Sequence, residues 1–133
     1  MKALKAHHEK DPKDVIWETV GDDINGLDIF HNTVLVGIYI RPEKLSSGLY
    51  MPDKSRDEEK FQGKVGLVLK KGPAVFKDDP DAGIYFYGQD INVGEWIGFM
   101  PSDGWPVKVG ELSCRIVRDT DIKMRVQHPD FLY

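Results

Sequence analysis

The stretch TVLVGIYIRPEKLSSGLYMPDKSRDEEKFQGKVGLVL, residues 33–69, holds two strand-like apolar runs and the long polar segment that separates them. The first run, Thr33 to Ile40, alternates β-branched residues with other side chains, which is typical of a half-buried strand. The second run, Lys64 to Leu69, has a glycine at Gly66, and a glycine inside a strand indicates a bulge or a close backbone approach. The pattern predicts two β-strands joined by a long loop.

The connecting segment, residues 41–63, has no periodicity of its own. Loops of this length, roughly 20 residues, are uncommon inside compact domains and are usually functional or disordered. Its centre is a short apolar island between a glycine and a proline: Gly48, Leu49, Tyr50, Met51 and Pro52. The residues that follow, DKSRDEEK (53–60), are charged at seven of eight positions. Large apolar side chains at such a place need a cover, either this domain's own surface or another chain.

The rest of the chain predicts further short strands. Apolar runs separated by turns containing Gly, Pro or Asp occupy residues 84–87, 96–100, 107–109, 112–117 and 121–126. Closely spaced short strands without a convincing long helix predict an all-β fold, a small β-barrel. In the apolar core of that barrel we expect Trp96 or Phe99, but not both.

The residues before this pattern are predicted to form an N-terminal extension. Residues 1–14 are polar and predict a tail with at most a short helical turn. Residues 28–30 are compatible with a short strand. The predicted organisation is therefore an extension over residues 1–31 and a β-barrel domain over residues 32–133, with the long loop at 41–63.

Composition excludes several classes of protein. A chain of 133 residues is long enough for one domain with its own core. The net charge of −4 argues against binding nucleic acid, which needs a basic face. No apolar run approaches the ~18 residues of a membrane span, and the N-terminus lacks the apolar centre of a signal peptide. The single Cys114 excludes an internal disulfide and fits a reducing compartment such as the cytoplasm.

Metal binding is not expected from the sequence. His7 and His8 are adjacent in a polar tail, with no Cys or carboxylate at ligand spacing nearby, and such pairs are usually solvated. The acidic run Asp78, Asp79 and Asp81 lacks the regular spacing and the closing Glu of a calcium loop, so it is interpreted as a solvated turn.

Catalysis is not expected either. His31 and His128 have no nucleophile at a defensible spacing, and Cys114 within an apolar strand is typical of a small core residue. Asp119 and Asp121 flank a turn, where capping of backbone N–H groups explains them. We therefore predict that the protein is not an enzyme and needs no cofactor.

Four blocks of sequence, in order, resemble the GroES (chaperonin-10) co-chaperonin family. They are the apolar island with its flanks (48–55), the strand with its closing glycine turn (63–72), INVGEWIGF (91–99), and CRIVRDTDI (114–122). Together the blocks lie within a region that covers most of the chain after residue 32.

The resemblance implies a GroES-like β-barrel that assembles with copies of itself into a ring, a heptamer in this family. Such a ring caps a GroEL-type chaperonin and assists protein folding, while ATP is bound by the chaperonin. The loop at 41–63 would be mobile when free and would order on an apolar groove of the chaperonin. The matching contact positions are Gly48, Leu49, Tyr50, Met51 and Pro52.

Several features depart from a minimal co-chaperonin: the extension 1–31, Asn32-Thr33 at the start of the first strand, the large Tyr50 and soft Met51 in the island, the charged run 53–60, and the aromatic-rich segment 70–90. They resemble a bacteriophage member, a type that folds capsid protein, more than a housekeeping one. The alternative is a virion structural protein that decorates, cements or assembles a capsid, with loop and arm docked on coat subunits. Fold alone does not decide between them. The expected location is the bacterial or host cytoplasm for a co-chaperonin and the virion for the alternative.

Overall fold

A computed structural model describes residues 8–40 and 64–132 of the chain. In these residues one α-helix, α1 (Pro12–Val20), precedes all the strands. The strands are β1 (Thr33–Ile38), β2 (Val65–Lys71), β3 (Trp96–Phe99), β4 (Trp105–Val109), β5 (Leu112–Arg118) and β6 (Ile122–Val126). Helix α1, with nine residues, is far too short to cross a membrane, and no other described helix is long and apolar enough to do so.

The six strands form one antiparallel sheet in the order β4-β5-β1-β2-β3-β6. The mostly β architecture confirms the all-β prediction at the level of fold class. Among the described residues the sheet does not close on itself, since β4 and β6 lie at opposite edges. A closed barrel is therefore not shown.

Both faces of the central strands are buried. On β1, Val34 and Val36 belong to one apolar cluster, together with Ile97 of β3. Leu35 belongs to a second cluster, which contains Leu67 of β2. The expectation of a half-buried first strand was wrong, because neither side of β1 faces solvent.

The aromatic residues of β3 show the same two-sided burial. Trp96 lies in the cluster of Leu35, and Phe99 lies in the cluster of Val34. Residues three apart on a strand point to opposite faces. The prediction that only one of the two would be in the core was wrong, because each face of this sheet has its own core.

Helix α1 covers one of these faces. It starts at Pro12, where the missing N–H costs nothing, and the Asp11 side chain caps it by accepting a hydrogen bond from the Lys13 N–H at 2.9 Å. The helix then runs through the first apolar patch and buries Ile16 and Val20 in the cluster of Leu35. A short helical turn at most was expected before residue 15, so the helix is longer than predicted.

The extension does not contain the short strand considered at residues 28–30. Phe30 instead accepts a hydrogen bond from the Thr33 N–H at 3.3 Å, in a turn that His31 passes with a positive φ of 57°. The domain boundary at residue 31 stays a prediction, but α1 shares its core with the sheet.

Candidate functional site

The predicted contact residues Gly48 to Pro52 lie outside the described residues, as does the whole of segment 41–63. The structure does describe the two strands from which this segment departs. β1 and β2 are antiparallel neighbours, with Ile38 opposite Gly66. Beyond the last pair, the Tyr39 N–H donates to the Val65 carbonyl at 3.1 Å. The described residues that flank segment 41–63 on either side therefore lie next to each other, at one end of a strand pair.

Gly66 is a point of close backbone approach at this end of the pair. A Cβ added there would lie 2.2 Å from Val36 Cγ1 and 2.7 Å from the Gly37 carbonyl oxygen. The sequence-based interpretation of this glycine is confirmed. Only glycine allows β1 and β2 to pack this tightly where the long segment starts.

Tyr39 fixes the position of the chain between the end of β1 and the start of segment 41–63. Its ring is buried and packs edge-on against Trp96, with the ring centroids 5.6 Å apart. Its hydroxyl donates a short hydrogen bond to Asp130 Oδ1 and lies 3.2 Å from His8 Nε2. A tyrosine that is buried this way needs a partner for its hydroxyl, and here the partners come from both ends of the described chain.

A polar cluster of His8, Tyr39, His128 and Asp130 forms around that hydroxyl. His8 Nε2 lies 2.8 Å from Asp130 Oδ2, and His128 Nδ1 lies 3.7 Å from the same oxygen. The Asp130 carboxylate is only 6% exposed, whereas the His8 and His128 side chains are 18% and 41% exposed. The two imidazoles therefore lie between a buried carboxylate and solvent.

Sequence reasoning missed this cluster. His8 was interpreted as a solvated tail residue, yet it contacts a residue 122 positions away. A His-x-Asp pattern at residues 128–130 was the only local signal, and nothing in the sequence links it to position 8. The fold brings the three segments together.

An exposed aromatic segment lies on another part of the surface. Residues 83–88 form turns and one isolated bridge, Asp79 with Ile84, and not a strand. Tyr87 is 87% exposed with a positive φ of 56°, and Tyr85 is also exposed. Phe86 packs against Phe76 with centroids 5.2 Å apart, which holds the segment in place.

The aspartates in the acidic turns accept hydrogen bonds from backbone N–H groups. Asp78 accepts a hydrogen bond from the Phe86 N–H at 2.7 Å, and Asp79 accepts one from the Ala82 N–H at 3.3 Å. Asp121 accepts one from the Arg118 N–H at 2.9 Å.

Asp119 is buried and joins two further segments. It accepts hydrogen bonds from Asn32 Nδ2 and the Phe76 N–H, each at 3.1 Å. The capping interpretation is confirmed for Asp121, which caps the turn. For Asp119 it was wrong, because this carboxylate is buried and joins the turn to Asn32 and Phe76.

The thiol and the other histidine named as weak candidates do not meet in one site. Cys114 is buried in β5, and burial raises the pKa of its thiol to about 11. A thiol with so high a pKa is a poor nucleophile at neutral pH. His31 lies exposed in the turn before β1.

No family model matches this chain, and no curated protein matches it. The arrangement that the structure offers for function is thus the end of the β1–β2 pair, with segment 41–63 leaving it and the cluster of His8, Tyr39, His128 and Asp130 beside it.

Proposed function

We propose that the protein is a co-chaperonin: a ring of identical subunits that caps a GroEL-type chaperonin and assists folding without chemistry of its own. Residues Leu49, Tyr50 and Met51 make the contact, and Gly48 and Pro52 shape the chain on either side of them. ATP is bound and hydrolysed by the chaperonin. A GroES-like barrel and a heptameric ring are parts of the same proposal.

The observation that carries the proposal is the position of segment 41–63. It connects two antiparallel neighbours, β1 and β2, which a turn of two residues would be enough to join. An insertion of this length in a strand connection, with an apolar centre and a charged flank, favours a binding function for the segment.

The energetics favour many weak contacts acting together. Burying two large apolar side chains contributes roughly 3–6 kcal/mol. Holding about ten residues of a connecting segment in one conformation costs on the order of 10 kcal/mol before backbone hydrogen bonds recover part of it. One segment alone would bind weakly, but a ring that presents several raises the effective concentration of each. Weak single contacts also allow a lid to be released.

The sheet edges support assembly into a ring. β4 and β6 have no further strand beside them among the described residues, and unprotected edges tend to pair with other chains. Trp105 on β4 and Met124 on β6 are exposed, which favours contacts between subunits at both edges. A contact between two different edges is head-to-tail, and such contacts form a ring when the rotation between neighbouring subunits closes.

The first test measures binding to a GroEL-type chaperonin by light scattering, with and without ATP. We expect ATP-dependent binding by the wild type and its loss in Leu49→Ser and in Met51→Ser. Leu45→Ser is the matched control, since it removes a leucine of the same segment outside the apolar island, and it should bind like the wild type.

Two further measurements accompany this test. Sizing should give a ring of about seven subunits, and trypsin cleavage after Lys54 or Arg56 should be suppressed by the chaperonin. Equal binding by the island variants and Leu45→Ser would contradict the assigned contact. No binding under any nucleotide condition, together with a monomer or trimer on sizing, would contradict the co-chaperonin function.

The exposed aromatic segment favours a second candidate, a structural protein of a virion. Tyr85 and Tyr87 offer a docking surface that a lid contacting only through segment 41–63 does not need. This candidate predicts co-sedimentation with capsids, lost in a Tyr85→Ser, Tyr87→Ser variant that still binds no chaperonin.

A further inference from the structure

We propose that His8, His128 and Asp130 bind a divalent transition metal, and that Zn²⁺ is the ion their donor set fits. This inference does not depend on the co-chaperonin proposal, since it rests on residues that take no part in the proposed chaperonin contact. Two imidazoles and one carboxylate are common zinc ligands, with water in the fourth position.

The distances suit a single ion. One ligand atom from each of the three residues lies within 4.8 Å of the other two. Two ligands on a tetrahedral zinc, each about 2.0–2.1 Å from it, are about 3.3 Å apart. Asp130 Oδ2 lies 2.8 Å from His8 Nε2 and 3.7 Å from His128 Nδ1, values on either side of that spacing. The His8 and His128 ligand nitrogens lie within 4.8 Å of each other, so these two imidazoles would have to approach by up to about 1.5 Å to share one ion.

A hydrogen bond from Tyr39 orients the Asp130 carboxylate for metal binding. Tyr39 donates its hydroxyl hydrogen to Asp130 Oδ1, which leaves Oδ2 directed at the two histidines. Metal-binding carboxylates are typically held by such a second hydrogen bond, which fixes their orientation. A bound zinc ion would replace the hydrogen bond between His8 Nε2 and Asp130 Oδ2 with bonds from both atoms to the ion.

His128 already presents an acceptor nitrogen. Its Nδ1 lies 3.2 Å from the Asp130 backbone nitrogen, in position to accept a hydrogen bond from that N–H. Binding of the metal would replace this long hydrogen bond with a metal–nitrogen bond. The rings of His8 and His128, 5.4 Å apart at their centroids, are spaced as two imidazoles on one ion can be.

The site is also accessible. His128 is 41% exposed, so an ion can enter from solvent, while the carboxylate that binds it is almost fully buried. Once bound, the ion would fasten residue 8 to residues 128 and 130 and thereby tie together two distant segments. Metal binding of this kind adds directly to folding stability.

The test uses the full, untagged chain, freed of metal with a chelator and titrated with Zn²⁺ by calorimetry. Co²⁺ serves as a spectroscopic probe, because its visible absorption bands intensify in a tetrahedral site. We expect one ion per chain, and at least a tenfold weaker affinity in His8→Ala and in His128→Ala. Mg²⁺, which prefers a full set of oxygen ligands, should not bind.

Two variants serve as controls for the histidines. His31→Asn removes an exposed histidine elsewhere and tolerates the positive φ of that position, so it should bind like the wild type. His7→Ala removes the imidazole next to His8 in sequence and should also keep full affinity. Loss of binding in His7→Ala, but not in His8→Ala, would overturn the assignment.

Thermal unfolding gives a second readout. Zn²⁺ at a free concentration one hundred times its dissociation constant should raise the midpoint by about 10 °C in the wild type and in His31→Asn. The same addition should raise the midpoint of His8→Ala by no more than about 5 °C, because a tenfold weaker site gains at most about half of the stabilisation. That variant should fold, since His8 lies at the surface edge of the cluster. Stoichiometric Zn²⁺ binding that is equal in the wild type and His8→Ala, or no binding at all, would refute the proposal.

Discussion

Replacing Gly66 by alanine tests how the long segment is anchored. Gly66 lies on β2 opposite Ile38, at the end of the β1–β2 pair from which segment 41–63 departs. An alanine Cβ at this position would be placed 2.2 Å from Val36 Cγ1 and 2.7 Å from the Gly37 carbonyl oxygen. The first contact involves a buried side chain, and the second involves the backbone of the neighbouring strand.

The expected loss of stability depends on how far the atoms around the added methyl group can move. Ordinary contacts begin at 3.4 Å, so Val36 would have to retreat by about 1 Å and the carbonyl by somewhat less. Val36 is β-branched and fully buried, and the Gly37 carbonyl cannot turn away without disturbing the strand pair. Overpacking of this type costs about 1–3 kcal/mol. We expect the upper value, about 3 kcal/mol, or a fall of about 10 °C in the unfolding midpoint.

The assay is urea unfolding followed by circular dichroism, with the slope compared between variants to check that the two-state description holds. Gly26→Ala is the matched control, because its added methyl group would meet nothing within 4 Å and its φ is not positive. It should change the free energy of unfolding by less than about 1 kcal/mol. Equal stability of Gly66→Ala and Gly26→Ala would refute the claim that β1 and β2 require glycine at this point.

Three other perturbations have defined outcomes. Asp119→Ala should lower the free energy of unfolding by about 2–4 kcal/mol. The Asp119 carboxylate is only 1% exposed and accepts a hydrogen bond from the Phe76 N–H, so its removal would leave buried donors without an acceptor. A loss below about 0.5 kcal/mol in the same urea assay would contradict this expectation. Cys114 should react with a thiol reagent only as fast as the protein unfolds, since its thiol is buried and its pKa is raised to about 11; rapid labelling of the native protein at pH 7 would be the opposing result. The pKa of Asp90 is lowered from its ordinary value of 3.8, chiefly by the hydrogen bond from the Ile91 N–H. The ionised Asp90 carboxylate therefore stabilises the fold above pH 3.8, and this stabilisation is lost as the pH falls through the folded-state pKa. The stability difference between the wild type and Asp90→Asn should therefore shrink on acidification below about pH 4, and a difference that stays constant from pH 7 to pH 3 would count against this account.

Local sequence patterns predicted the strands well. The runs 33–40 and 64–69 occur as β1 and β2, with ends shifted by two residues or fewer. The runs 112–117 and 121–126 likewise occur as β5 and β6. These strands combine β-branched residues with nearby turn residues, and both signals act over a few positions, so one sequence is sufficient to find them.

Contacts between distant segments could not be predicted in this way. Periodicity shows which residues share a face of a strand, but not whether another element covers the opposite face. Ile16 and Val20 of α1 provide that cover, and the polar tail before them gave no sign of it. The contact of His8 with Asp130 spans 122 positions, so it depends on the completed fold. The role of Gly48 to Pro52 stays a prediction.

The end of β1 lies next to both the start of segment 41–63 and the cluster of His8, Tyr39, His128 and Asp130. Tyr39 is two residues from the start of segment 41–63, and its hydroxyl contacts both His8 and Asp130. The ring of Tyr39 is fixed by Trp96 in the core, so movement of the polar cluster is resisted at that point. A binding segment transmits force to the fold through its two ends, and here one end is held by apolar packing and by a polar cluster together. An ion bound by His8, His128 and Asp130 would therefore stiffen the base of the proposed chaperonin contact without touching the contact itself.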